Sequence, residues 1–323
     1  MEALTANIGI SRLDAPLARL AYLMPDASAA ARKALDIVLA PTCNSIWPDV
    51  AWRASALTDD GFPVEFSWSS RDESIRWTAE VAAAETSKRA RIDLALEMLE
   101  TLCGHPPAPA QLVNQILGPT GQPDKMRFGA WIGGRHSDSA NRYKLYAECP
   151  ERLPPDQTGE VEWLEDSIAR RIDWRMVGVT TDGQVLEFYG RVSQLALEDI
   201  ERSFDRAGFG PAQQIGDLLR SMDRRKDSRH PFGSHAGVSV SLSNGKPCAI
   251  SWFGPANAIS FDAETRVAAL IEAAELCGGQ TQLLTALVGN RQPLFGKIGM
   301  VGLGAAQDGT CWVQAGWRPG GCN

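Results

Sequence analysis

Two short stretches carry the side chains best suited to chemistry. In PVEFSWS a single acid, Glu65, sits among apolar and small residues, and Arg76 follows eleven positions later in SIRWTAEV. In RYKLYAEC, Arg142, Lys144 and Tyr146 occupy alternate positions. An extended chain turns every second side chain the same way, so these three share a face opposite Tyr143, Leu145 and Ala147. Such a face is either a solvated edge or the wall of a ligand site. A lone carboxylate like Glu65 serves as a structural acceptor for a backbone group or for Arg76, or as a general acid–base. QVLEFYGRV adds Glu187, Tyr189 and Arg191 at the same spacing. The elements that carry these residues decide between the alternatives.

Other chemistries find little support. The 323 residues include 32 basic and 39 acidic side chains, a net charge of −7, whereas a nucleic-acid binder shows a basic excess or stripe. The densest basic run, MDRRKDSRH at 222–230, is interrupted by acids and reads as a solvated loop. No apolar run reaches the ~18 residues of a membrane span, and the N-terminus lacks a basic region followed by an apolar core. A soluble, unexported, cytoplasmic protein is expected, with no nucleic-acid or membrane partner. Seven cysteines form an odd set without a CxxC pair and read as reduced thiols. The four histidines, His105, His136, His230 and His235, lack ligand spacing. Asp59-Asp60 precedes Gly61 and reads as a turn, not as half of an aspartate-rich Mg²⁺ motif. GLGAA at 302–306 lacks the following helix that a dinucleotide loop requires.

The positioning elements are a repeated pattern of hairpins. Strand-like runs pair across polar or Gly turns at 63–81, 126–149, 173–192, 236–254 and 297–318. The turn of the fourth pair is Asn244-Gly245, a dipeptide that tolerates positive φ at both positions. Between the pairs lie amphipathic stretches at 85–102, 110–118, 160–171, 196–207, 212–222, 262–276 and 281–289, with one more at 27–40. In the first of these Ile92, Leu96 and Leu99 share a face that Leu102 continues, the spacing of a helix packed on one side.

Ten antiparallel strands in an open sheet would expose two ladder edges, and closure removes them. A ten-stranded barrel has a lumen wide enough for polar side chains to surround a ligand. The alternation fits: Glu65, Ser67 and Ser69 oppose Phe66 and Trp68, and Ser239, Ser241 and Ser243 oppose Val238, Val240 and Leu242. The polar faces are expected in the lumen and the apolar faces against helices.

These five αββα-type units, with PVEFSWS, IRWTAEV and RYKLYAE on the first two hairpins, resemble the aromatic prenyltransferases of the ABBA barrel class, particularly the indole, dimethylallyltryptophan synthase-like branch. The similarity spans about residues 50–319. Its carriers are Pro63, Glu65 and Ser67 at a strand start, then Arg76, then Lys144 and Tyr146 on a later strand. The resemblance implies an α+β fold, a ten-stranded antiparallel barrel of five αββα repeats inside a ring of helices. One domain over 1–323 is expected, with an N-terminal helical segment over about 1–45. The implied activity is alkylation of an indole-type acceptor, tryptophan free or in a peptide, by a prenyl diphosphate through an allylic cation. Arg76, Lys144, Arg142 and Arg191 would bind the diphosphate, and Tyr146, Tyr189 and Trp312 would shield the cation. Glu65 would accept the indole N–H. The implied partners are the donor, dimethylallyl diphosphate, and the acceptor, with no cofactor and no Mg²⁺, in a monomer or homodimer.

The second half departs from the family pattern. Where the indole enzymes carry an Arg-x-Lys-x-Tyr strand, this chain has Val185, Glu187 and Tyr189, so an acid replaces a cation. Arg191, Arg127 and Arg135 are candidate substitutes. The last two hairpins offer Trp252, Phe253, Trp312, Gln314, Gly316 and Trp317 in place of tyrosines, and Gly316 is expected to leave space for a longer donor or bulkier acceptor. Two other readings stand beside the first: prenylation of another side chain of a ribosomal cyclic peptide, and a non-catalytic barrel holding a hydrophobic ligand.

Overall fold

Each strand pairs with its neighbours in sequence, and the last returns to the first, so ten antiparallel strands close into a barrel. The computed structural model describes residues 2–45, 48–108, 126–149, 161–168, 172–210, 212–222, 229–259, 263–288 and 295–319. Its hairpins are β1 (Val64–Ser69) with β2 (Ile75–Glu80), β3 (Ala130–His136) with β4 (Asn141–Glu148), β5 (Asp173–Thr180) with β6 (Val185–Ser193), β7 (His235–Ser243) with β8 (Lys246–Pro255), and β9 (Phe295–Ala306) with β10 (Cys311–Pro319). Closure is made by β1 against β10, from Phe66 opposite Trp317 to Ser69 opposite Gln314. Among the described residues no strand edge is left open for association.

Helices precede and separate the hairpins: α1 (Glu2–Ala21), α2 (Pro25–Val38), α3 (Ala40–Cys43), α4 (Pro48–Ala51), α5 (Lys88–Cys103), α6 (Glu162–Ile168), α7 (Leu197–Ala207), α8 (Ala212–Met222), α9 (Ala263–Leu276) and α10 (Gln282–Val288). The stretch expected at 110–118 lies outside the described residues. Helix α5 starts where the Ser87 side chain accepts the Ala90 N–H and ends at Gly104, whose φ of 75° suits glycine. It buries Ile92, Ala95, Met98 and Leu99, while Leu96 and Leu102 pack at the margin of the same core. Helix α7 buries Leu197, Ile200, Ser203 and Phe204, and the Asp199 carboxylate accepts the Ala196 N–H at its start.

Alternation fixes what faces what. Phe66, Trp68, Trp77, Phe188, Trp252 and Trp317 are all at most 2% exposed, because the outward wall of the barrel lies under helices. Trp252 and Trp317, offered by the sequence as pocket residues, belong to this outer core; the wider pocket list shrinks to Phe253, Trp312, Gln314 and Gly316. Trp252 keeps its polar atom satisfied by donating its indole N–H to Ser203 Oγ of α7 at 2.9 Å.

Strand β3 starts at Ala130, later than the 126 expected. Gly129 takes a φ of 83°, and the Glu148 carboxylate accepts the backbone N–H groups of Arg127, Phe128 and Gly129. Those donors are therefore withdrawn from any ladder. At Asn244-Gly245 both φ values are positive, 52° and 71°, as the dipeptide predicts. No helix among the described residues is long and apolar enough to cross a membrane.

Truncating Trp252 to Ala empties a buried site at the seam between α7 and the wall and removes a donor from Ser203. A loss of about 3–5 kcal/mol is expected, read as a lowered denaturant midpoint with an unchanged slope. A loss below about 1 kcal/mol would show that the seam does not hold the helix to the barrel.

Candidate functional site

Cross-strand register brings the polar alternates into one lumen. Glu65 is opposite Thr78, Ser67 opposite Arg76, and Arg76 opposite Arg135. Arg135 is opposite Arg142, and Lys144 lies between Gly133 and Thr180. Farther round, Glu187 lies between Gly178 and Ser241, and Tyr189 is opposite Ser239. Paired residues in antiparallel strands point to the same side of the sheet. The side chains singled out on different hairpins therefore share a wall.

At the end where the hairpin turns gather, arginines crowd. Asp72, in the β1–β2 turn, accepts from both Arg76 and Arg135, and Arg76 also donates to Ser74 Oγ at 3.0 Å. Burial pushes the Asp72 carboxyl up, but Arg76, the Ser74 hydroxyl and Arg135 hold it below the ordinary value. Burial and the neighbouring Arg76, then Arg142 and Arg71, push the Arg135 guanidinium down to about 10, against the pull of Asp72. Arg71 lies over the Trp312 ring, 4.8 Å from its centroid. Two guanidinium groups thus meet on the Asp72 carboxylate, with Arg142 and Arg71 close enough to act on Arg135, a local concentration of positive charge suited to a polyanion.

The deeper cation is occupied internally. Lys144 crosses the wall above Gly178, where a Cβ would come within 3.1 Å of both Lys144 Cδ and Tyr189 Cε2. Its ammonium donates to Glu187 Oε2. The same oxygen accepts the Tyr189 hydroxyl at 2.7 Å, and Oε1 accepts Ser241 Oγ at 3.0 Å. Burial opposes the charge on each partner. The ion pair and the added hydrogen bonds prevail, so Lys144 is held above its ordinary value and Glu187 below. Burial, then Glu187, raises Tyr189 well above the ordinary phenol. Tyr146 meets Tyr189 edge to face, with centroids 5.6 Å apart.

Glu65 is the opposite case. No hydrogen-bond donor or cation among the described residues contacts its carboxylate, and the ion pair with Arg76 conceivable from sequence is absent because Arg76 turns to Asp72. Burial raises the Glu65 carboxyl to about 7, with Arg318 opposing and Asp59 assisting. A Cβ on Gly316 would stand 2.7 Å from Glu65 Oε1. The space that the glycine leaves is filled by Glu65, not free for a longer donor or bulkier acceptor.

Of the residues singled out, Arg76, Arg142, Lys144, Tyr146, Tyr189, Glu65 and Trp312 all reach the lumen or its turn-side mouth. Arg191 does not join them. It is exposed, lies opposite Asp173 and Gly237, and is ~13 Å of strand beyond Glu187. Its charged neighbours are Arg175, Arg127 and Asp173, so Arg127 belongs to that end too. Arg135, by contrast, is in the cluster. Asp72 and Ser241 went unrecognised as site residues. Asp72 precedes Arg76 by four positions in a turn, and Ser241 belongs to a polar stripe; neither signal names a partner. Asp59 and Asp60 pair with Arg318 in the turn before β1, and no group of three metal-capable side chains occurs among the described residues.

The unpartnered Glu65 has a consequence for stability. Its native carboxyl titrates near 7 against an ordinary value of 4.5, so the fold favours the protonated acid. That contribution is complete below about pH 4.5 and is lost as pH rises through 7. Glu65→Gln is expected to match the parent near pH 4 and to exceed it on the order of 3 kcal/mol at pH 8, by denaturant titration. A difference independent of pH would contradict the assignment.

No family model and no curated protein matches the sequence. Solved structures do. The 5-dimethylallyltryptophan synthase from Streptomyces coelicolor superposes with a TM-score of 0.78 at 17% identity, over 97% of this chain and 98% of that one. The 6-dimethylallyltryptophan synthase from Micromonospora olivasterospora, in complex with DMASPP and Trp, gives 0.76 at 16% identity over 95% and 96%. Prenyltransferase PriB, in a ternary complex with L-tryptophan and dimethylallyl thiolodiphosphate, gives 0.76 at 15% identity over 97% and 96%. From end to end, then, this chain has the fold of the ABBA-type prenyltransferase barrels.

Proposed function

We propose that the protein is an aromatic prenyltransferase that alkylates an indole-type acceptor, tryptophan free or within a peptide, with a prenyl diphosphate, and that residues 1–323 act as one domain. The observation that carries this reading is the division of the lumen wall into a cationic mouth and a half-buried glutamate, with no donor on its carboxylate, ~7 Å of strand away. The likeness in fold to tryptophan prenyltransferases supports it.

In this reading the diphosphate head lies among Arg76, Arg135, Arg142 and Lys144. The donor's C–O bond breaks heterolytically and its electron pair leaves with the diphosphate. Guanidinium and ammonium groups stabilise that developing charge in a site of low dielectric, preorganised before the reaction. The allylic cation passes between Tyr146 and Tyr189, whose faces attract positive charge, with Trp312 at the mouth. Glu65 accepts the indole N–H, raises the electron density of the ring and assists the later loss of a proton. The wall of the closed barrel keeps out water that would capture the cation. No metal is required, since the arginines supply the charge that a metal otherwise provides.

A second reading is favoured by one contact. Glu187 neutralises Lys144, which suits a barrel that has given up catalysis and holds a hydrophobic ligand. It predicts no diphosphate release with any acceptor and a ligand affinity that survives Lys144→Ala. Prenylation of another side chain of a cyclic peptide keeps the chemistry and changes only the acceptor.

Incubation with dimethylallyl diphosphate and tryptophan, then with tryptophan-containing cyclic peptides, is expected to release diphosphate and add one prenyl group by mass, also in excess chelator. Glu65→Gln is expected to lower kcat by roughly 10²–10⁴-fold with donor binding retained. Absence of diphosphate release with every acceptor would favour the ligand-binding barrel instead.

A further inference from the structure

The contact that counts against catalysis also suggests how the donor is held. Glu187 has three donors on two oxygens: Lys144 and Tyr189 on Oε2, and Ser241 on Oε1. Only Lys144 brings a full charge. The titratable groups around it come from several strands: Lys144 and Tyr146 from β4, Tyr189 from β6 itself, and Cys248 from β8, whose thiol feels Glu187 and Arg71. Arg76 acts on Lys144 from the mouth. Among the described residues no second cation lies on the Glu187 oxygens.

An anionic head group that takes hydrogen bonds from Lys144 removes the single counter-ion of Glu187. It also sets its own charge within a lysine's reach of that carboxylate. Two like charges confined in a site of low dielectric cannot both stay ionised without large cost, and the weaker acid takes up a proton. Here that is the carboxylate, because the head group keeps the arginines. A proton moving from Lys144 to Glu187 would not serve, since it would discard the cation that draws the anion. Tyr189 and Ser241 donate hydrogen bonds but are no proton source, since transfer would leave a phenolate or an alkoxide beside the anion. The protonated carboxyl gains an O–H it can turn toward a phosphoryl oxygen.

We infer that Glu187 takes up one proton from solvent when the donor's head group binds at Lys144, and that it holds this head group as a neutral, hydrogen-bond-donating acid. The inference rests on the prenyltransferase reading and deepens it. A lysine at this position would bind the anion by charge alone; a glutamate makes binding proton-coupled.

The test is calorimetric titration of dimethylallyl thiolodiphosphate, an unreactive donor analogue, at pH 8 in buffers of different ionisation enthalpy. At that pH the analogue is essentially fully ionised, so its own titration adds little. The wild type is expected to take up close to one proton per site, and its affinity to fall about tenfold per pH unit above pH 8. Glu187→Gln, which preserves shape and can still hydrogen-bond, is expected to bind with no uptake and no such pH dependence. Glu65→Gln is expected to keep the uptake, which assigns the proton to Glu187. Binding by the wild type without uptake, or uptake that persists in Glu187→Gln, overturns the inference and leaves the prenyltransferase reading intact. Failure of the wild type to bind the analogue at all sinks both.

Discussion

A charge on the inner wall of a closed barrel has limited access to water, so it must find compensation across the lumen or alter its protonation. That constraint organises the site. Asp72 gathers Arg76 and Arg135, and Glu187 gathers Lys144, so five charges from four strands and a turn are drawn into two small clusters that keep one net positive charge. Such pairs add little net stability, because desolvation offsets much of the attraction. What they supply is orientation. Arg76 is turned toward the mouth by Asp72 and Ser74, away from Glu65, and Lys144 is drawn across β5 toward β6. The same constraint leaves Glu65 as the exception, since its carboxyl meets desolvation with no donor or cation in contact, against only the pull of Arg318, and rises to about 7.

Glycine makes these arrangements possible at several points on the wall. Lys144, Tyr146 and Tyr189 converge over Gly178, Phe253 lies over Gly237 and Gly302, Trp312 over Gly304, and the Glu65 carboxylate over Gly316. In each case a Cβ would come within about 3 Å of the side chain above it. A glycine inside a strand weakens the strand itself, and one recurring reason to keep it is close approach of another group. Here the approaching group is a lumen side chain, so the glycines sink the large residues into the wall and keep the middle of the barrel from being filled by its own lining.

Much of this was legible in the sequence, and the limits follow from how the information is stored. Hairpin pairing and alternation are local, so five hairpins, the Asn244-Gly245 turn and the inward set of Glu65, Arg76, Lys144 and Tyr189 can be read directly. Closure follows from the edge problem without any particular contact. Strand boundaries are less local: β3 begins late because Glu148, some twenty residues away, takes the preceding N–H groups. Face is legible but depth is not. Arg191 shares its face with Glu187 and Tyr189, yet it sits at the far end of the barrel, which only the stagger of neighbouring strands determines. Partner choice is the least legible. Nothing in RDES marks Asp72 as the hub for two arginines, and nothing in LEFYG shows that Glu187 meets Lys144 from two strands away.

The two lumen glutamates have opposite electrostatics, and each state makes sense only in relation to what the lumen receives. Glu187 is ionised because a lysine and two hydroxyls stabilise its charge, so any ligand that takes the lysine must weaken that stabilisation. Glu65 is easily neutral because burial outweighs the pull of Arg318 and no donor touches its carboxylate, so a ligand presenting an N–H to it strengthens the charged form. A polyanion at the mouth and an aromatic N–H donor deeper in would therefore push the two carboxyls in opposite directions, one toward gaining a proton and the other toward losing one. A barrel that merely sheltered an apolar molecule could keep the neutralised Glu187–Lys144 pair but would gain nothing from Glu65, whose carboxyl a glutamine of the same shape could replace without a buried charge. The two carboxyls stand on β1 and β6, five strands apart in the closed ten-stranded sheet, so their opposite responses belong to opposite walls of one lumen.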